Sequence, residues 1–257
     1  MSRFMLITSK LKYLGLFGLL SLIFDAPVWK HTDVNTYQPK VIYSLPFKGK
    51  WTIVNGGPDK KTSHSWNVLS QRYAYDFLIL DENGQSYTGD KTVLQNYYCY
   101  GREVLAPADG VVIDYKDGLK DSQIIGSGAT DPWIKDIRGN YILLKHAEKE
   151  YSLIAHLMPG SIRVKIGQYV RRGKCIALCG NSGNSSEPHI HFQIQDGESF
   201  FTSAGLPVRF KNIEAELAAN YKKFDSRGYV EGREFDGAVV WRGLFVWNKQ
   251  VVEENTD

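Results

Sequence analysis

Pro188-His189-Ile190-His191-Phe192-Gln193-Ile194 decides the reading of this chain. Polar and β-branched or aromatic residues alternate along it, the period-two pattern of a half-buried strand. Successive side chains on a strand point to opposite faces, so His189 and His191 share one face while Ile190, Phe192 and Ile194 face a core. Two imidazoles fixed on a rigid support can bind one metal, or one can bind while the other moves protons. An isolated His-x-His is more simply a solvated sheet face, so the weight falls on what the rest of the chain supplies.

Working outward, the loop Gly180–Glu187 (GNSGNSSE) leads into this strand. Upstream, Tyr141–His146 and Tyr151–His156 read as two strands joined by a polar turn at 147–150. Gly101–Tyr115 (GREVLAPADGVVIDY) reads as strand, turn and strand, and residues 116–139, rich in Asp, Gly and Ser, form a loop long enough to border a site. Ile162–Val164, Tyr169–Val170 and Cys175–Leu178 add short strands between turns at Gly167 and Gly173. Lys50–Val54 and Tyr73–Leu80 are further strands; in the second, Asp76 stands among small or apolar neighbours and needs a partner, because an unpaired buried carboxylate is costly. Beyond Asp196, Ile213, Leu217 and Tyr221 predict a short helix within Asn212–Phe224. Ala238–Trp241 and Leu244–Trp247 predict two more strands. Many short strands with glycine turns and few helical periods indicate a mostly β protein, an antiparallel sheet or open barrel.

The chain has 257 residues and a net charge of +3, scattered along its length, which gives no footprint for nucleic acid. Its three cysteines, Cys99, Cys175 and Cys179, cannot all pair. Cys175 and Cys179 lie about 13 Å apart along an extended strand, too far for a disulfide; all three are expected to be small packing residues. Near the N-terminus, Arg3, Lys10 and Lys12 precede an apolar run from Tyr13 to Phe24. This has the charge and length of a signal peptide, but Phe24-Asp25-Ala26-Pro27 lacks a small-x-small cleavage pattern. The expected organisation is an export signal or membrane anchor over 1–25, a linker over 26–45, one domain over 46–200 and a C-terminal extension of it over 201–257. The anchoring reading places the protein outside the cell or on its surface, attached through residues 13–24.

Six histidines are present: His31, His64, His146, His156, His189 and His191. A catalytic zinc takes three nitrogen or oxygen ligands and leaves a position for water. His64, Asp76, His156, His189 and His191 are candidates on or beside strands, and spacing does not choose among them.

The ordered motifs do more. His64 and Asp76, then Ile154-Ala155-His156-Leu157, then Gly180-Asn181-Ser182-Gly183, then Pro188-His189-Ile190-His191-Phe192 resemble the lysostaphin-type (LytM-like) zinc metallopeptidases of bacterial peptidoglycan. VLAPADGVV and IGQYVRRGKCIAL resemble the strands of that family's duplicated hybrid-motif-like architecture, and the resemblance spans roughly residues 50–196. It implies one Zn²⁺ per chain held by His64, Asp76 and His191, with His156 and His189 flanking a metal-bound water, and hydrolysis of peptidoglycan peptides. One departure stands out: the family usually places its Asp four residues after the first His, whereas here Asp76 follows His64 by twelve. The intervening segment must loop back to the site. A non-catalytic LytM-like module that binds wall or regulates another hydrolase is the alternative, disfavoured by retention of all five positions. A biotinyl- or lipoyl-type carrier barrel shares the strand-and-turn cadence but requires a Met-flanked lysine, and no Met-Lys-Met occurs.

Overall fold

A computed structural model describes residues 32–249; the expected signal or anchor segment and His31 lie outside the described residues. Twelve strands form one large antiparallel sheet and a two-stranded ribbon. The strands are β1 (Trp51–Asn55), β2 (Tyr75–Leu78), β3 (Glu103–Leu105), β4 (Gly110–Lys116), β5 (Asn140–Ala147), β6 (Glu150–Leu157), β7 (Tyr169–Val170), β8 (Cys175–Leu178), β9 (Ile190–Gln195), β10 (Gly205–Leu206), β11 (Ile213–Leu217) and β12 (Leu244–Asn248). The large sheet runs β11-β12-β1-β2-β9-β6-β5-β4-β7, with β10 added to β9, and β3 pairs with β8. Among the described residues no helix is long and apolar enough to cross a membrane.

Alternation places Ile53, Phe77, Ile142, Leu144, Ile154, Ile190, Phe192 and Ile194 in one main core, joined there by Val104, Ile176 and Ala177 of the β3–β8 ribbon. On β5 and β6 the opposite face is also covered, by a smaller cluster of Tyr141, Leu143, Tyr151, Leu153, Ala155 and Phe200. The central strands are therefore dry on both sides. This corrects the half-buried expectation for β9, which is buried throughout, with Gln193 and Gln195 at 0% exposure. Polar side chains at such positions persist only when hydrogen-bonded, and these are.

Further expectations change, beginning with Ile162–Val164, which is not a strand. Ile213–Leu217 is a strand (IEAEL alternates) paired along its length with β12, and only Tyr221–Phe224 makes a helical turn, α1. Ala238–Trp241 is irregular, because its backbone bonds go singly to separate segments, as in Phe210 N–H to Ala238 O at 2.9 Å, rather than into a ladder. Cys99 and Cys179 lie in the main core as expected, but Cys175 is only half-buried and accepts from Arg163 Nη1 at 3.2 Å.

Candidate functional site

Asp76 and His191 are direct cross-strand partners on β2 and β9, and Ala155 of β6 continues the row across His191. Facing residues of paired strands share a sheet face, so the row projects away from the main core. His191 Nδ1 lies 2.9 Å from Asp76 Oδ1. Asp76 and His191 are each 6% exposed. Two more imidazoles approach the same carboxylate: His64 Nδ1 at 3.6 Å from Oδ2, and His189 Nε2 at 3.7 Å from Oδ1. Burial by itself would push the Asp76 carboxyl up. The hydrogen bond from His191 and the charges of His64, His189 and His191 outweigh it and hold the group well below the usual carboxylate range. Burial likewise pulls His191 down, and its bonds to Asp76 and Gln193 raise it above the ordinary imidazole value.

His156 enters from the end of β6. There Asn140 pairs with Leu157 but Ile142 with Ile154, so β6 holds one residue more than β5 across this interval, a β-bulge at Ala155–His156. His156 itself is left-handed, φ 61°, an uncommon conformation for a residue with a Cβ. The bulge turns its ring onto His189 (centroids 4.6 Å apart) and towards His191 (5.7 Å). Burial and the two neighbouring imidazoles push His156 well below the usual range.

The ring nitrogens are assigned by their partners. A backbone carbonyl only accepts, so His156 Nδ1 donates to Ser182 O (2.8 Å) and His189 Nδ1 donates to Glu187 O (2.8 Å). Both histidines then present Nε2 to the crevice. His191 is oriented the other way round, by a ladder of amides. Gln195 Nε2 donates to Gly197 O (2.8 Å), Gln193 Nε2 donates to Gln195 Oε1 (2.7 Å), and Gln193 Oε1 faces His191 Nε2 at 3.0 Å. Because the ladder ends on a carbonyl, each amide is oriented in turn and His191 Nε2 carries the proton. Its Nδ1 carries a proton too in this structure, donated to the Asp76 carboxylate, and would have to release it to hold a metal.

Loops complete the frame. Ser86 Oγ donates to Glu187 Oε2 at 2.5 Å, and burial raises that carboxyl beside the His189 anchor. The Gly180–Gly183 loop is braced by the 116–139 loop: Asn181 N–H donates to Asp121 Oδ1 (2.7 Å) and Asn184 N–H to Ile137 O (2.9 Å). Gly183, at φ 79°, passes so close to Gly139 that a Cβ on it would stand 2.3 Å from the Gly139 nitrogen. No side chain fits at that crossing. The 116–139 segment thus borders the site, as its length and composition predict.

All five sequence-predicted residues gather here, while His146 stands apart with both nitrogens engaged, by Asp109 O (2.8 Å) and Ser152 Oγ (2.7 Å). His64 is the outermost member, its side chain 41% exposed. Sequence reasoning missed Gln193, Gln195, Glu187 and Ser182. Of these, only the glutamines left a signal, two amides on the strand face shared with His191.

The donor set suits a borderline cation: carboxylate oxygens of Asp76 with the Nδ1 atoms of His64 and His191 facing them. A ligating imidazole whose other nitrogen donates to an amide oxygen is the usual outer arrangement of such sites, and His191 with Gln193 supplies it. The side chains are hydrogen-bonded rather than drawn together; among the described residues no three His, Cys, Asp or Glu groups stand at the spacing that grips an ion.

Comparison with known proteins places the segment. Residues 95–202 match Peptidase family M23. An uncharacterized metalloprotease of Haemophilus influenzae is 36% identical over 95 residues, 36% of this chain and 16% of that protein. The peptidoglycan DD-endopeptidase ShyB of Vibrio cholerae is 41% identical over 92 residues, 34% of this chain and 21% of that protein. These matches thus span about a fifth or less of the relatives' lengths. Among solved structures, the catalytic domain of lysostaphin from Staphylococcus simulans aligns with 68% of this chain and 95% of its own at 22% identity and a TM-score of 0.33. The family match includes His156, His189 and His191, and His64 and Asp76 lie upstream of it. Over residues 95–202, less than half of its length, the chain is thus similar to Peptidase family M23.

Proposed function

We propose that this protein is a zinc-dependent endopeptidase that hydrolyses peptide bonds of bacterial peptidoglycan. The observation that carries the reading is the cross-strand pair Asp76–His191, with His64, His156 and His189 brought to it by separate segments of the chain. The match to Peptidase family M23 and the activity in the name of the Vibrio relative support the substrate class.

In this reading His64, Asp76 and His191 hold the ion, which when bound supplies Lewis acidity and lowers the pKa of water at the site. The remaining work falls to the protein's own groups. His156 and His189, with Nδ1 committed to carbonyls, each offer an Nε2 lone pair to the crevice. One of them accepts a proton from the attacking water, and the protonated imidazole returns it to the leaving amine. The other, beside it, donates a hydrogen bond to charge developing on the scissile carbonyl oxygen. Flanking cover from Leu153, Ala155 and Phe200 keeps the sheet face around the row dry, and the Gln193–Gln195 ladder keeps His191 from rotating.

Purified full-length chain incubated with peptidoglycan, with and without a chelator, tests this by mass spectrometry of the released fragments. Chelator-sensitive new amine and carboxylate ends are expected, and their position identifies the bond. Stoichiometric zinc without cleavage, or binding to the wall without cleavage, would overturn the enzymatic reading in favour of a non-catalytic module.

A further inference from the structure

We propose that Asn55 is a further substrate-binding residue, an amide that donates a hydrogen bond to a backbone carbonyl of the bound peptide and is aimed by Arg227 of the C-terminal extension. The inference rests on the peptidase reading and deepens it. Asn55 closes β1, where Ile53 pairs with Phe77 of β2 but Asn55 pairs with Asp76. The residue left over, Val54, is a bulge. Regular alternation would set Val54 opposite Asp76 and turn Asn55 to the other face. With the bulge Asn55 is the cross-strand partner of Asp76, and the row Ala155–His191–Asp76 gains a fourth member on the same sheet face.

The amide of Asn55 is held at one end only. Arg227 Nη2 donates to Asn55 Oδ1 at 3.1 Å. The guanidinium is fixed in turn on Asp225, to which Arg227 donates from its backbone N–H at 2.9 Å and from Nε at 2.8 Å. An Asn amide is planar, so holding Oδ1 also sets the direction of its two N–H bonds. Among the described residues Asn55 Nδ2 has no partner, and although the residue is half-buried this atom is open to solvent. A donor oriented by the fold but not used by it is placed to pair with an incoming acceptor, and a site built to make such a bond discriminates against ligands that lack it.

The surroundings select the acceptor. Arg227, the cation at this end of the row, is already matched by Asp225 and is not free to draw a carboxylate. A neutral amide suits a neutral carbonyl, and every residue flanking a scissile peptide bond presents one. Adjacent strands lie about 4.8 Å apart and an extended peptide advances about 3.4 Å per residue, so a substrate lying over Asp76 and His191 brings a flanking carbonyl within reach of Asn55. Asn55 and Arg227 both lie outside residues 95–202, so this donor is supplied by parts of the chain that the family match does not cover. The C-terminal extension thereby reaches back to the end of β1 and sets one donor on the crevice wall.

The test uses the purified full chain and soluble crosslinked muropeptides released from peptidoglycan by a muramidase. Asn55→Asp keeps the oxygen that Arg227 holds and removes the donor; Asn55→Ala removes it without adding charge beside Asp76. Each should raise KM and the muropeptide Kd by about ten-fold, the worth of one hydrogen bond, and Asn55→Ala should leave kcat and zinc content unchanged. Arg227→Ala should raise KM by a smaller factor and add nothing when combined with Asn55→Ala. An unchanged Kd in both Asn55 variants, or loss of zinc in Asn55→Ala, would overturn the assignment; additive effects of the two alanine changes would overturn the aiming role of Arg227. A native chain that binds muropeptides uncut, and binds them less well as Asn55→Ala, would overturn the hydrolase reading and leave this inference standing. No binding by the native chain would overturn both.

Discussion

His191 and His156 face one crevice from neighbouring strands, yet the chain holds them in opposite ways. His191 sits in unbroken register, opposite Asp76 on one side and Ala155 on the other, and its ring is set by side chains of its own strand. His156 sits where register breaks, on a bulge, left-handed, with its ring set by a backbone carbonyl from a loop. The first is an arrangement that ordinary strand periodicity delivers. The second requires the fold to hold a residue where it would not settle alone, at a cost of about 1–3 kcal/mol for such a conformation. A regular strand suits a residue that must stay still, and a bulge suits one that must be aimed.

The sharpest way to break the contrast is to remove each ring. His191→Ala should abolish both zinc retention and hydrolysis, measured by metal analysis and fragment release. His156→Ala should leave zinc bound and reduce kcat by about 10²–10⁴-fold, the usual worth of an acid–base group. If both variants lose metal alike, the division of roles between them fails. Next in size is the support of His191. Gln193→Leu removes the acceptor at Nε2 and should weaken zinc affinity by about 10–100-fold in competition with a chelating dye; unchanged affinity would reduce the ladder to packing.

The strain at position 156 is checked by stability alone. His156→Gly and His156→Ala both lack the imidazole, but only alanine keeps a Cβ in the left-handed region, so the glycine variant should be the more stable by about 1 kcal/mol in denaturant titration. The smallest effect concerns His146, which has no free nitrogen and so no chemistry to offer. His146→Gln should leave hydrolysis unchanged. Burial lowers the His146 imidazole below its ordinary value, more than the Asp109 carbonyl raises it. The unfolded chain therefore takes up the proton first, and stability falls as pH drops below about 6.5. That acid-side loss, followed by thermal midpoints at pH 5 and pH 7, should be shallower in the glutamine variant.

These residues also show what could be read in advance. The alternation of β9 identified Ile190, Phe192 and Ile194 as core and put His189 and His191 on the other face, because strand periodicity is a local property. Asp76 was marked by a local cost, a carboxylate among apolar neighbours that needed a partner. The identity of that partner was not local, since it depends on β2 lying beside β9. The positive φ of His156 left no trace in composition, because the bulge is imposed by pairing with β5. The Gln193–Gln195 ladder left a signal that points the wrong way; amides alternating on a strand read as a wet face until a second layer is known to cover it. The helix expected over Asn212–Phe224 failed for a related reason: IEAEL suits either period, and the open edge of β12 captured it as a strand.

The pairing of Asp76 with His191 has one more consequence. The two residues are 115 positions apart, and their strands are adjacent only once the middle of the sheet is built. Closing so long a loop is slow and comes with the body of the fold rather than ahead of it. A nascent or unfolded chain therefore has the parts of the crevice but not the crevice, and in the proposed reading ion binding at Asp76 would report that folding has finished.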